Sequence, residues 1–174
     1  MSVLSHQQIK ALIESPEPLV SGYADLDAQL QANGFDMTLD AIAAYDAGPG
    51  GQIGVTNAER RLPDARELAF DADGYVTLSP GPYLVTLNEV VRLPDQVMAF
   101  GKPRSSLLRS GVAIHNAVWD AGYQGRSQAL MVVYTQLGFR VAQGARILQL
   151  VFLTLDAASA VPYAGQYQGE HLPG

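Results

Sequence analysis

From Gly74 to Leu155 the chain is cut by Pro and Gly into short apolar runs: GYVTLSPGPYLVTLNEVVRLP, QVMAFGKP, GVAIHNAVW, SQALMVVYT, GFRVAQG and ARILQLVFLTL. Runs of this length with turn residues between them predict antiparallel strands in a sandwich or barrel. Upstream, Asn33-Gly34 marks a turn and FDMTLDAI alternates apolar with polar residues, the pattern of a half-buried strand. Only the N-terminus reads as helix. Ser5 stands at an N-cap with Gln8 three residues on, Ile9, Leu12 and Ile13 share a face, and Pro16 and Pro18 stop the turn. The expected fold is mainly β, a distorted antiparallel barrel of jelly-roll type with a short N-terminal helix. No linker or repeat interrupts it. The expectation is one domain over residues 1–174, with an N-terminal helical segment at 1–20 and a Gly- and Gln-rich tail at 162–174.

Composition removes several classes. Hydrophobic residues make up 48% and charged residues 16%, the reverse of the balance that keeps a chain disordered. Mean hydropathy is +0.06, yet no apolar run approaches the ~18 residues of a membrane helix, and MSVLSHQQIK lacks the basic-then-apolar pattern of a signal peptide. There is no cysteine, and His6, His115 and His171 lack ligand spacing. The expectation is a cytoplasmic protein without membrane contact. A net charge of −6 and a pI near 4.9 argue against nucleic acid as a partner. The basic residues gather late, however, at Arg92, Lys102, Arg104, Arg109, Arg126, Arg140 and Arg146. Such a cluster suits a small polyanion; it equally suits solvated strand faces.

Three stretches carry candidate chemistry. PRSSLLRSG (103–111) holds two arginines and two serines, the donors of a phosphate cradle; the serines also suit a helix N-cap. AVWDAGYQG (117–125) isolates Asp120 in a Gly-rich turn beside Trp119 and Tyr123. There it could deprotonate a water, or cap the turn through its own backbone. GARILQLVF sets Gln149 in an apolar strand, where a buried amide needs local or ligand partners.

In this order, with QANGFDMTLDAI before them and YAGQYQG after, these stretches resemble the superfamily of trimeric dUTP diphosphatases and dCTP deaminases. The likeness is weakest over residues 41–80. It implies that Arg104, Ser105, Ser106 and Arg109 hold phosphates and that Asp120 activates the attacking water. It further implies that Tyr123 packs under the deoxyribose and that the backbone of 115–120, including Ala117 and Trp119, reads the pyrimidine edge. Gln149 would wall the site, and Tyr163, Gln166, Tyr167 and Gln168 would close over the triphosphate. The resemblance implies Mg²⁺ held through the substrate's phosphates rather than by a protein cage, dUTP as substrate, and a homotrimer with sites between subunits.

The two branches of that superfamily divide on one residue. Deamination needs an acid/base beside the ring, supplied in dCTP deaminases by a glutamate whose position falls on Leu130; no residue from 127 to 135 is acidic. An apolar side chain moves no proton. The expected activity is therefore hydrolysis of dUTP to dUMP and pyrophosphate, most like the archaeal-type enzymes. The alternatives are a dCTP deaminase, a bifunctional enzyme, or a non-catalytic nucleotide-binding protein. Two departures stand out: the Gly-rich C-terminal motif of dUTP diphosphatases is absent, and Gln166 stands where the deaminase-like tail often carries lysine.

Overall fold

The computed structural model describes residues 1–172; Pro173 and Gly174, the end of the expected tail, lie outside it. Strand β1 (Ser2–Val3) leads into helix α1 (His6–Ile13). Ser5 and Gln8 form the expected capping box, and Ile9 and Ile13 are buried. β2 (Val20–Ser21), a single turn α2 (Leu26–Gln29) capped by Asp25, and β3 (Leu30–Gln31) follow.

β4 runs Gly34–Tyr45, longer than the FDMTLDAI segment suggested. β5 (Ala65–Glu67) and β6 (Tyr75–Leu78) come from the region of weakest resemblance. The Pro- and Gly-bounded runs become β7 (Gly81–Leu87), β8 (Val90–Arg92) and β9 (Val97–Pro103). A five-residue helix α3 (Ser105–Arg109) separates β9 from β10 (Val112–His115). β11 (Gln124–Gly125), β12 (Gln128–Val133), β13 (Phe139–Ala142) and β14 (Arg146–Thr154) complete the fold.

The main sheet has nine strands, ordered β1-β14-β4-β7-β12-β10, with β3 and β5 also on β4 and β9 on β14. Every pairing is antiparallel. β4 bends this sheet. Its first half pairs β14 and its second half pairs β7, with register shifts at Arg146/Leu148 and Leu39/Ala41. Such irregularities raise local twist and curl a sheet toward a barrel. Two small sheets, β11-β8-β2 and β13-β6, lie beside it.

Alternation then sorts the faces. In β7 and β12, Tyr83, Val85, Leu87, Ala129, Met131 and Val133 point into the core. Leu84 and Leu130, which face each other across the pair, point outward with Gln128. That outward face becomes one wall of the site. Among the described residues no helix is long and apolar enough to cross a membrane.

Candidate active site

After β10 the chain leaves the sheet and returns at Trp119, whose N–H and C=O bond Ala99 of β9 at 3.1 and 2.9 Å. Trp119 is buried, and alternation turns the next side chain, Asp120, outward. Gly122 then takes φ +85°, a left-handed conformation that suits glycine. A Cβ there would also lie 2.6 Å from the side chain of Pro162, where the tail crosses. The turn brings Tyr123 back under the loop, buried, with its carbonyl accepting from Leu93 N–H at 2.8 Å.

Between this loop and the outward face of β12 lies a cleft of about 680 Å³, within the usual range for small-molecule sites. Asp120 and Tyr123 line it, with Leu84, Gln128 and Leu130 along one side. The loop residues His115 to Val118 form an edge. Among the described residues the N–H groups of Ala117 and Val118 meet no partner, which leaves two donors open on that edge. Leu62 and Pro63 from the loop before β5, and Tyr163, Tyr167 and Glu170 from the tail, close the cleft.

Asp120 is exposed, and among the described residues no donor or cation meets its carboxylate. The turn is closed by backbone alone, Tyr123 N–H to Asp120 C=O at 3.1 Å, so the aspartate does not cap it. Its oxygens are open to a water or a ligand. Below, the polar groups are saturated. Trp119 Nε1–H donates to Ser127 Oγ at 2.6 Å, Ser127 Oγ and Tyr123 Oη lie 2.8 Å apart, and Tyr123 donates to Glu170 Oε1 at 2.9 Å. Burial pushes the Tyr123 phenol and the Glu170 carboxyl above their ordinary values, so the tyrosine stays a neutral donor.

The phosphate candidates gather elsewhere. Arg104 is the extended N-cap residue of α3, and no side chain caps that helix. Ser105 and Ser106 are therefore not capping serines; both are exposed, as is Arg109. Arg104 is ion-paired with Asp36, a carboxylate only 2% exposed, and Arg146 lies 3.5 Å from the same oxygen. Burial and the neighbouring Arg146 lower the Arg104 pKa. Gln149 sits beside this cluster, paired with Asp36 on one side and Lys102 on the other. It packs so close to Gly34 that a Cβ there would meet its amide at 2.6 Å.

The register gives the separation. Trp119 faces Ala99, and Arg104 lies five residues further along the strand direction, which at about 3.3 Å per residue is roughly 16 Å. Ala117, Trp119, Asp120, Tyr123, Tyr163 and Tyr167 thus share the cleft. Arg104, Ser105, Ser106, Arg109 and Gln149 lie outside it. Gln168 bonds Gly122 C=O and Gln124 N–H at 3.0 Å, and Gln166 meets Arg60; neither reaches the cleft.

Asp36, Ser127 and Glu170 were not found from sequence. Asp36 falls on the polar phase of an alternating strand, where burial is not expected; it is buried because β4 is covered on both faces. Ser127 and Glu170 have no local signal, since only the returning tail brings them together.

The sequence profile of the dCTP deaminase-like family matches residues 3–155. A probable deoxyuridine 5'-triphosphate nucleotidohydrolase of Methanosarcina mazei is 42% identical over 171 residues, 98% of this chain and 99% of its own. A protein of the same name from Archaeoglobus fulgidus is 42% identical over 172 residues, 99% of each chain. The crystal structure of a 2'-deoxycytidine 5'-triphosphate deaminase from Agrobacterium tumefaciens matches with a TM-score of 0.66 at 25% identity, over 86% of this chain and 47% of the other. The profile stops before the tail, whereas the two archaeal relatives align through it. The chain belongs to the dCTP deaminase-like family.

Proposed function

We propose that this chain hydrolyses dUTP to dUMP and pyrophosphate. The observation that carries the reading is the free Asp120 carboxylate on a nucleoside-sized cleft in which position 130 is leucine. Two nearly full-length relatives named as probable dUTP nucleotidohydrolases support it.

The uracil edge meets the backbone of residues 115–118, and the deoxyribose rests on Tyr123. Asp120 takes a proton from water as its oxygen attacks the α-phosphorus in line; the α–β bridging bond breaks and pyrophosphate leaves. General bases of this kind supply about 10² to 10⁴ in rate. Arg104, Arg109, Ser105 and Ser106 donate to the departing phosphates. Among the described residues no cluster of three or more His, Asp or Glu could cage a metal; Asp36 is committed to two arginines and Asp120 stands alone. The donor set suits Mg²⁺ carried on the phosphates, where it would neutralise charge on the leaving group.

Along the strand direction the two clusters of one chain lie roughly 16 Å apart. We infer, with the family resemblance, that the phosphate donors come from a second copy; a closed threefold assembly would bring the two clusters together symmetrically. Leu108 and Tyr134, 67% and 61% exposed, offer apolar surface for it.

One observation favours a second reading. Glu170 brings a carboxyl into the cleft, so dCTP deamination has a candidate acid. One of its oxygens is engaged at the phenol of Tyr123, on the sugar side, which favours hydrolysis. A panel of dUTP, dCTP, dTTP and UTP scored for pyrophosphate and ammonia decides. Pyrophosphate from dUTP without ammonia from dCTP is expected; ammonia from dCTP would overturn the assignment.

A further inference from the structure

The hydrogen bonds beneath the cleft run in one direction. Tyr123 has one phenolic proton and gives it to Glu170. Ser127 must then donate to the Tyr123 oxygen, and it accepts from Trp119 Nε1–H. The sequence Trp119 to Ser127 to Tyr123 to Glu170 uses each hydroxyl proton once and ends on a carboxyl oxygen. Aligned chains of this kind polarise one another. Three of the four members lie within nine residues of each other; the fourth comes from the tail.

The tail itself is held by backbone. Arg126 N–H donates to Glu170 C=O at 2.9 Å, and Gly169 N–H to Gln124 C=O at 2.8 Å. The Glu170 side chain is 17% exposed, and its Cγ lies 3.1 Å from where a Cβ on Gly125 would stand. The Tyr123 ring meets Tyr163 edge to face, 5.7 Å between centroids. The tail thus touches the ring on its side and at its phenol.

We infer that Glu170 is a positioning residue: by accepting the Tyr123 phenol it fixes where the outer end of the ring under the sugar stands, and so sets discrimination between deoxyribose and ribose. The inference rests on the proposed hydrolase reading, in which Tyr123 carries the deoxyribose. With Glu170 gone the buried phenol is held by Ser127 alone, and the outer end of the ring can swing away from the sugar and leave room for a 2'-hydroxyl; held by both partners, it does not. The tail then contributes to substrate choice through Tyr123 while its own carboxyl remains off the reacting phosphorus.

The test compares steady-state hydrolysis of dUTP and UTP by wild type, Glu170→Ala, Glu170→Gln, Tyr123→Phe and the double variant Glu170→Ala/Tyr123→Phe. Glu170→Ala should raise KM for dUTP about tenfold, the loss of one charge-assisted bond, and narrow the dUTP preference by a similar factor, with kcat within about twofold. Glu170→Gln keeps an acceptor oxygen and should stay within about threefold of wild type. Once the phenol is gone Glu170 has nothing to hold, so the double variant should match Tyr123→Phe. Unchanged KM and preference in Glu170→Ala, or effects that multiply in the double variant, overturn the inference. A wild type inert toward dUTP sinks the hydrolase reading instead. The emission of Trp119, the one tryptophan of the chain, then decides the coupling in nucleotide-free protein. It should shift in Glu170→Ala and hold in Glu170→Gln; an unchanged spectrum in both overturns the chain of contacts.

Discussion

The cleft around Tyr123 and the cluster around Asp36 both bring polar side chains to the surface, but they settle their charges in opposite ways. Beneath the cleft the Ser127 and Tyr123 hydroxyls are paired, and among the described residues the Asp120 carboxylate is left open and faces outward. At Asp36 the buried group is the carboxylate, held between Arg104 and Arg146, while Ser105, Ser106 and Arg109 stand open to solvent. The first region leaves a carboxylate open and the second leaves donors open. The difference teaches that two polar regions on separate parts of one chain can each be braced by buried partners while presenting opposite charge; in the proposed function they serve as complementary halves of one site.

Asp120→Asn should break the comparison most severely. Pyrophosphate release from dUTP should fall about 10²- to 10⁴-fold, with KM nearly unchanged, because the side chain is open and holds no structure. A loss within threefold would remove the general base from the account.

The arginines sharpen the other side. Arg109→Ala and Arg104→Ala should each raise KM for dUTP by about 10- to 100-fold, the worth of a charge-assisted bond. Thermal melting should separate them. Arg109 is exposed and among the described residues has no buried partner, so its loss should leave Tm unchanged. Loss of Arg104 leaves Asp36 with Arg146 alone, and removing one partner of a buried pair costs up to about 3–5 kcal/mol; Tm should drop by several degrees. Equal melting temperatures would show that Asp36 does not brace the donors.

A smaller effect tests what supports the donor half from below. Glu89 is fully buried and accepts from Thr38 N–H at 2.9 Å, Thr38 Oγ1 at 2.6 Å and Gln29 Nε2 at 2.7 Å, while Gln29 also holds Asp36 C=O. All three of these groups donate, so the isosteric Glu89→Gln sets an amide N–H against donors and should cost about 1–3 kcal/mol in urea denaturation. Burial pushes the Glu89 carboxyl above its ordinary value of 4.5 against the pull of those donors. A carboxyl with a raised folded-state pKa contributes most stability below its unfolded value and loses it as pH rises through the folded one. The gap between wild type and Glu89→Gln should therefore be widest at the acid end and narrow as pH rises; a gap that widens with pH would reverse the assigned sign.

Much of the strand half was legible in sequence because period-2 alternation and Pro/Gly punctuation are local signals. α1 followed from Ser5, Gln8 and three apolar residues on one face, and the packed end of the chain followed from ARILQLVFLTL. Asp120 was singled out because a carboxylate in a Gly-rich turn is conspicuous, and the structure removes its competing role as a turn cap. The serines of PRSS lost their capping reading in the same way. What stayed hidden depends on long-range approach. Nothing around Asp36 announces that both faces of β4 are covered. Nothing around Glu170 announces Tyr123, 47 residues earlier. Gln166 and Gln168 were expected at the triphosphate; the structure sets them on Arg60 and on the Gly122–Gln124 backbone, contacts that no local pattern encodes.

The division of the site between copies is tested most directly by complementation. Asp120→Asn subunits, slow at any dUTP concentration, and Arg109→Ala subunits, slow at dUTP well below their raised KM, are co-expressed with different tags, purified as mixed assemblies and assayed at that low dUTP concentration. If each site takes its aspartate from one copy and its arginine from the next, every mixed threefold ring has one intact site in three, and activity should return to about that level. Mixed assemblies no more active than the two parents would contradict the account, because both halves would then have to serve the nucleotide from a single chain.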